Sequence, residues 1–176
     1  MPIASGPGHA VIRSRLALLR SAAVTGVARG AYRLTKAYVS ERHQFGAPFL
    51  RIPAVSSGPA LMKVQLLQAE AALALARHAV TTDADPAGIQ AATGTNSAGP
   101  CETSAAVAVA RITTAQAATE VAPPAHQLQG ARGITQEYPL HHVTRRLWAW
   151  RDAVAGERDW SDELGRRAAD LGETGV

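Results

Sequence analysis

The sequence predicts an all-α protein, an antiparallel bundle of four to five helices. Apolar residues recur at three- and four-residue steps over long stretches, the mark of amphipathic helices. Hydrophobic residues make up 47% of the chain but aromatics only 5%, and alanine dominates, which suits closely packed helices rather than a sheet built from β-branched and aromatic side chains. At 176 residues the chain is long enough for one domain with its own core and short for two. Residues 1–176 are therefore read as a single domain, with 1–10 and 172–176 expected to be disordered.

Helix one is predicted from Val11 to Ser40, where Leu16, Leu19, Ala23, Val27, Ala31, Leu34 and Tyr38 keep the helical spacing. It should stop around Gln44-Phe45-Gly46-Ala47-Pro48, because glycine permits a reversal and proline forbids continuation. Pro53 marks a restart, and Val55 to Val80 reads as a second helix burying Leu61, Val64, Leu67, Leu73 and Leu75. Residues 81–102 are rich in Gly, Pro, Asp and Asn and poor in large apolar residues, so a loop is expected there. A third helix is predicted from Thr103 to Val121, broken by Pro123 and Pro124, with a short helical turn over Ala125–Gln129. Gly130-Ala131-Arg132-Gly133 reads as a loop. Tyr138-Pro139 leads into a helix from Leu140 to about Ala153 carrying Leu147, Trp148 and Trp150, and a short final helix is expected over Trp160–Leu171.

The formal charge of +4 comes from scattered arginines interleaved with acids, which argues against a nucleic-acid partner and for a solvated face or a phosphorylated cofactor. Arginine suits phosphate because its planar fork binds two oxygens at once and stays charged. No apolar run reaches the roughly 20 residues of a membrane span and no secretory h-region is evident, so no membrane role and a cytoplasmic location are expected. The single cysteine, Cys101, can form no internal disulfide, and no Cys/His group has zinc spacing.

Two motifs go further. Ala37-Tyr38-Val39-Ser40-Glu41-Arg42-His43-Gln44-Phe45-Gly46 resembles the Y-x-x-x-R-x-Q-F-G that closes a long helix in the acyl-CoA dehydrogenase family. His126-Gln127-Leu128-Gln129-Gly130-Ala131-Arg132-Gly133-Ile134 with Glu137-Tyr138-Pro139 is similar to that family's Q-x-x-G-G-x-G-Y and its downstream E-Y-P. They stand about 85 residues apart, as in the family's C-terminal helical domain. The segment Thr144 to Asp152 resembles an actinobacterial-type branch, and the likeness runs from Arg13 to about Leu164. The resemblance implies a bundle of that type, FAD shared across a subunit interface, and a homo-oligomer or a complementary acyl-CoA dehydrogenase subunit as partner. It places Arg42, Gln44 and Phe45 near the diphosphate, and Gln127, Gly130 and Ala131 on the adenosine side. Read without the resemblance, Arg42 would pair with a surface carboxylate and Gly46 would merely end a helix.

The sequence also departs from the family. Oxidation of an acyl-CoA needs a carboxylate to take the α-proton while the flavin accepts a β-hydride. The family's usual base position falls at Val154, and the alternative on the first helix falls near Leu16; both are apolar. Asp152 and Glu157 are the nearest candidate carboxylates, although two or three residues along a helix turn a side chain onto another face. Pro53, Ala131 and Ile134 also differ from the pattern, and Ala131 matters most if its φ must be positive. His141 and His142 read as surface or interface residues. The walls of the flavin and acyl pockets belong to two further domains in the family, more than 176 residues can encode, so the domain is expected to be incomplete alone. Three functions stay open: a thioester-oxidising domain, a non-catalytic subunit completing a partner's flavin site, and a bundle used only for protein interaction.

Overall fold

A computed structural model of the chain describes residues 7–44, 46–84, 100–153 and 155–173. Five helices lie among them: α1 (Pro7–Glu41), α2 (Pro53–Ala84), α3 (Pro100–Gln129), α4 (Leu140–Arg151) and α5 (Glu157–Glu173). A two-residue ribbon, β1 (His43–Gln44) antiparallel to β2 (Ala47–Pro48), follows α1. Gly46 turns it with φ +77°, a backbone state that a side chain resists. None of these helices is long and apolar enough to cross a membrane.

Helix α3 is the axis of the bundle, touching α1, α2, α4 and α5. What lines it explains why. Its inward residues Val107, Ala108, Ala110, Ala118, Val121, Ala122 and Ala125 are small and fully buried, so neighbouring backbones approach closely. Facing them are Val24, Ala28 and Ala31 of α1, Met62 and Leu66 of α2, and Leu140 and Leu147 of α4. A second cluster joins Ala17, Ala72 and Ala76 to Trp160 of α5. Two polar residues on the buried face of α1 are satisfied within their own helix: Ser21 Oγ donates to Ala17 O at 3.0 Å and Thr25 Oγ1 to Ser21 O at 2.8 Å.

This stripe includes Ala31 and Tyr38 of the predicted α1 face but departs from the predicted pattern elsewhere. Leu16 and Leu19 of α1 and Leu61, Val64, Leu67 and Leu75 of α2 point outward, Leu61 and Leu75 being 65% and 67% exposed. The buried face of α2 is instead Val55, Met62, Leu66, Ala69, Ala72, Ala76 and Ala79. Leu147 is buried as expected, whereas Trp148 is exposed and Trp150 half-buried. Size misled the reading, because helices packed this closely admit alanine and threonine where leucine would hold them apart.

The boundaries differ too. Helix α1 begins at Pro7, inside the stretch expected to be disordered, and α5 runs on through Gly172 and Glu173. Residues 1–6 and 174–176 lie outside the described residues. Of the expected loop at 81–102, residues 81–84 complete α2 and 100–102 begin α3, while 85–99 lie outside the described residues. Pro123 and Pro124 do not break α3, which runs unbroken to Gln129. Each forfeits a hydrogen bond, to Thr119 O and Glu120 O respectively. Val121, Ala122 and Ala125 are buried on either side, and that packing holds the helical path.

Candidate functional site

The ends of α1 and α3 lie side by side, which brings the two sequence motifs together. Tyr38, Arg42 and Phe49 form one wall of a cleft of about 360 Å³, and Gln127, Leu128, Gln129, Gly130, Ala131 and Arg132 form the other. Glycine makes the second wall possible. Gly130 follows the last residue of α3 with φ +57°, the left-handed conformation that ends a helix, and sends the chain into a short 3-10 turn over Gly130–Gly133. The positive φ falls on Gly130 and not on Ala131, so the alanine in place of a second glycine carries no backbone strain.

Arg42 is fixed by its neighbours. Its Nη1 donates to Tyr38 Oη, one helical turn back. With the Gln44 amide turned so that its oxygen faces the guanidinium, Gln44 accepts from Nε at 3.2 Å and from Nη2. Of the five N–H donors of a guanidinium, one on each terminal nitrogen remains free to meet a ligand. Phe45 lies outside the described residues. Arg132 stands across the cleft, its guanidinium carbon 5.6 Å from the Tyr38 ring centre and 5.0 Å from that of Tyr138, while that of Arg42 is 5.5 Å from Tyr38. Two cations thus flank one tyrosine, and among the described residues neither is in a salt bridge.

Below them Gln129 is 3% exposed and donates through Nε2 to Thr35 Oγ1 at 3.1 Å, which ties α3 to α1. Its Oε1 has no partner. Whichever way round the amide sits, one of its polar atoms is buried with no partner in the protein, and such an atom is costly unless something meets it. Tyr138 Oη reaches Leu34 O at 3.4 Å and holds the glycine turn against α1. Sequence reasoning had assigned no role to Arg132 or Gln129. The i, i+4 spacing of Tyr38 and Arg42 was visible, whereas burial of the last residue of a helix leaves no pattern in a sequence.

The carboxylate candidates lie elsewhere. Arg151 holds Asp152 through Nε at 2.8 Å and Nη2 at 2.7 Å, and this bonding, offset in part by burial, keeps the carboxyl below its ordinary pKa. Glu157 opens α5, where Gln116 donates to its Oε1 at 2.9 Å. Both line a separate recess with Thr119, Gly156 and Ser161. Leu16 is exposed on α1, and Val154 lies outside the described residues. The ring centres of His141 and His142 lie 3.8 Å apart with the planes tilted by 41°, and His141 Nδ1 is 2.9 Å from Tyr138 O.

Behind the glycine turn, His126 Nε2 bonds Thr144 Oγ1 at 2.8 Å. Burial, and secondarily the charge of His141, lowers the His126 pKa. The unfolded chain therefore takes up the proton first. The stability contributed by neutral His126 is complete above the ordinary histidine range and falls as pH drops through it toward the lower folded value. The melting temperature should decline between pH 8 and 5, and His126→Gln should flatten that slope; equal slopes in the two proteins would contradict the assignment.

Comparison with known proteins gives the family. Residues 6–151 match the model described as acyl-CoA dehydrogenase, C-terminal domain. No curated protein sequence matches. Among solved structures, the ChsE4-ChsE5 complex from Mycobacterium tuberculosis is similar at TM-score 0.72 and 22% identity, over 92% of this chain and 38% of that one. The Tcur3481-Tcur3483 steroid ACAD gives 0.77 and 21% over 96% and 42%. Butyryl-CoA dehydrogenase from Megasphaera elsdenii gives 0.71 and 23% over 94% and 39%. At these identities the likeness is one of fold, and the chain spans about two fifths of each structure's length. By the family match, which covers most of its residues, the chain belongs to the acyl-CoA dehydrogenase family as a C-terminal domain.

Proposed function

We propose that the chain is the helical part of an FAD-linked acyl-CoA dehydrogenase assembly, lending Arg42, Gln44, Phe45, Gln127, Gly130 and Ala131 to a flavin shared across a subunit interface. The observation that carries the reading is the single cleft gathering Arg42 with Gln127, Gly130 and Ala131. Its residues fit a dinucleotide. The free donors of Arg42 suit diphosphate oxygens, and the orphaned Gln129 amide suits a polar group of the ligand. Gly130 keeps the second wall low, so that backbone can approach. Arg42 also lies at the carbonyl end of α1, where a cation offsets the helix dipole that would otherwise repel an anion.

When bound, FAD would supply the acceptor for the hydride in α,β-dehydrogenation of an acyl-CoA. This chain's own residues position the cofactor, and Asp152 is a poor candidate to take the α-proton. A base working near neutral pH needs a pKa close to that pH, and Asp152 is held below the ordinary carboxylate range by Arg151. That observation favours a second reading within the first: a non-catalytic subunit completing the flavin site of a complementary acyl-CoA dehydrogenase subunit or of a second copy of the chain. The exposed aliphatic side chains of Leu61, Val64, Leu67 and Leu75 on one helix support such a partner, because exposed aliphatic surface is a site for association.

Flavin retention and turnover test both levels. Arg42→Ala and Gln127→Ala should each weaken FAD binding about tenfold, read by flavin fluorescence with and without a complementary subunit. The chain alone should not reduce an artificial electron acceptor with acyl-CoA as donor. Unchanged flavin binding in both variants would remove the flavin reading, and turnover by the chain alone would remove the non-catalytic one.

A further inference from the structure

The cleft holds a feature that the family pattern does not require: a second arginine on the glycine turn. We propose that Arg132 acts with Arg42 as a two-pronged receptor for a diphosphate, so that the chain itself recognises a nucleoside diphosphate through its two phosphates, with or without a flavin ring. The inference rests on the dinucleotide reading of this cleft and deepens it by naming a further binding residue and the group it selects.

Three observations carry it. The guanidinium carbons of Arg42 and Arg132 approach the same Tyr38 ring, at 5.5 and 5.6 Å, from different backbone segments, and both residues line the same cleft. Among the described residues no carboxylate forms a salt bridge with either. A monophosphate can satisfy one such fork, whereas two forks on one cleft match the two phosphates of a diphosphate. The third observation is the polar atom of Gln129, buried on this cleft and without a partner, which a neutral polar group beyond the diphosphate can meet. Nucleoside diphosphates carry both kinds of group; inorganic pyrophosphate carries only the first.

A purely structural role competes with this. Arg132 stands just past the carbonyl end of α3 and could serve only to offset that helix's dipole. Such a role would appear in the melting temperature and not in ligand selectivity.

The test is calorimetric titration of the whole chain at low salt with ADP, AMP and pyrophosphate, and of the Arg132→Ala and Arg132→Lys variants. ADP should bind, and AMP should bind at least about tenfold more weakly. Arg132→Ala should lose about 10- to 100-fold on ADP, change little on AMP and keep the wild-type melting temperature, with Arg132→Lys recovering part of the loss. Absence of ADP binding, equal binding of ADP and AMP, or an Arg132→Ala variant that binds ADP like the wild type would overturn the proposal. Titration with FAD separates this from the reading beneath it. If Arg42→Ala loses FAD while Arg132→Ala keeps it, the flavin site stands and the second prong falls; if neither variant changes FAD binding, both fall.

Discussion

Trp160→Ala should destabilise the protein by about 4 kcal/mol, the range for emptying a buried tryptophan site, and lower the melting temperature by about 10 °C. Trp160 is 1% exposed and packs with Ala17 of α1, Ala72 and Ala76 of α2 and Val107, Ala108 and Ala110 of α3. It is the one fully buried side chain described on α5, whose sequence is otherwise mostly charged residues, alanine and glycine. Arg13 covers the ring at 4.3 Å and pairs at 2.6 Å with the largely buried Glu163, but Arg13 itself is half exposed and solvent screens the pair. Loss of the ring should therefore release α5 from the bundle, seen as fast amide exchange over residues 157–173. Trp160→Phe is the control. It keeps most of the packing and removes an indole N–H that has no partner, so its cost should be well under half that of alanine. A melting temperature within 2 °C or so of wild type for Trp160→Ala would show that α5 is anchored by other means.

Arg111→Ala should cost about 3 kcal/mol, the next largest effect. Arg111 is 1% exposed, and its Nη2 donates to Arg151 O at 2.8 Å and Ala155 O at 3.1 Å, with Ala153 O at 3.5 Å. One buried cation thereby caps the carbonyl end of α4 and gathers the turn into α5. The turn needs this hold, since Ala155 has φ +110°, where an L-residue is strained. Burial, and then the charge of Arg20, lowers the Arg111 pKa, with Asp152 partly opposing them. The charge is thus a liability that the carbonyls offset only through Nη2, since Nε and Nη1 are buried without partners. Arg111→Met, which keeps the stem and discards the charge, should cost less than alanine. Denaturant unfolding of both variants checks this, and an alanine variant within about 0.5 kcal/mol of wild type would show that the turn stands without the clamp.

How much of this was legible beforehand depended on what kind of signal each residue leaves. The helical class and the helix order could be read, because spacing and glycine placement are local facts, whereas the meeting of Arg42 with the Gln127–Gly130 loop was implied only by the family resemblance. Only part of the buried face of α1, and little of that of α2, could be read. A reader expects leucine inside, yet Ala17, Ala28 and Ala76 are inside and Leu19, Leu61 and Leu75 outside, a choice made by the distance between helices. Arg132 stood in plain view inside a recognised motif. Its significance depends on the Tyr38 ring, more than ninety positions away in the chain.

The paired prolines of α3 have a dynamic corollary. Neither Pro123 nor Pro124 contributes an amide to the ladder, so the turn around them has two main-chain ties fewer and relies more on side-chain packing. Cooperative unzipping should pause there. The segment ending at Gln129, which presents the glycine turn to α1, can then breathe on a faster timescale than the long segment that spans the bundle. A ligand gripping that segment would find its receiving wall able to adjust while the remainder of the helix stays still.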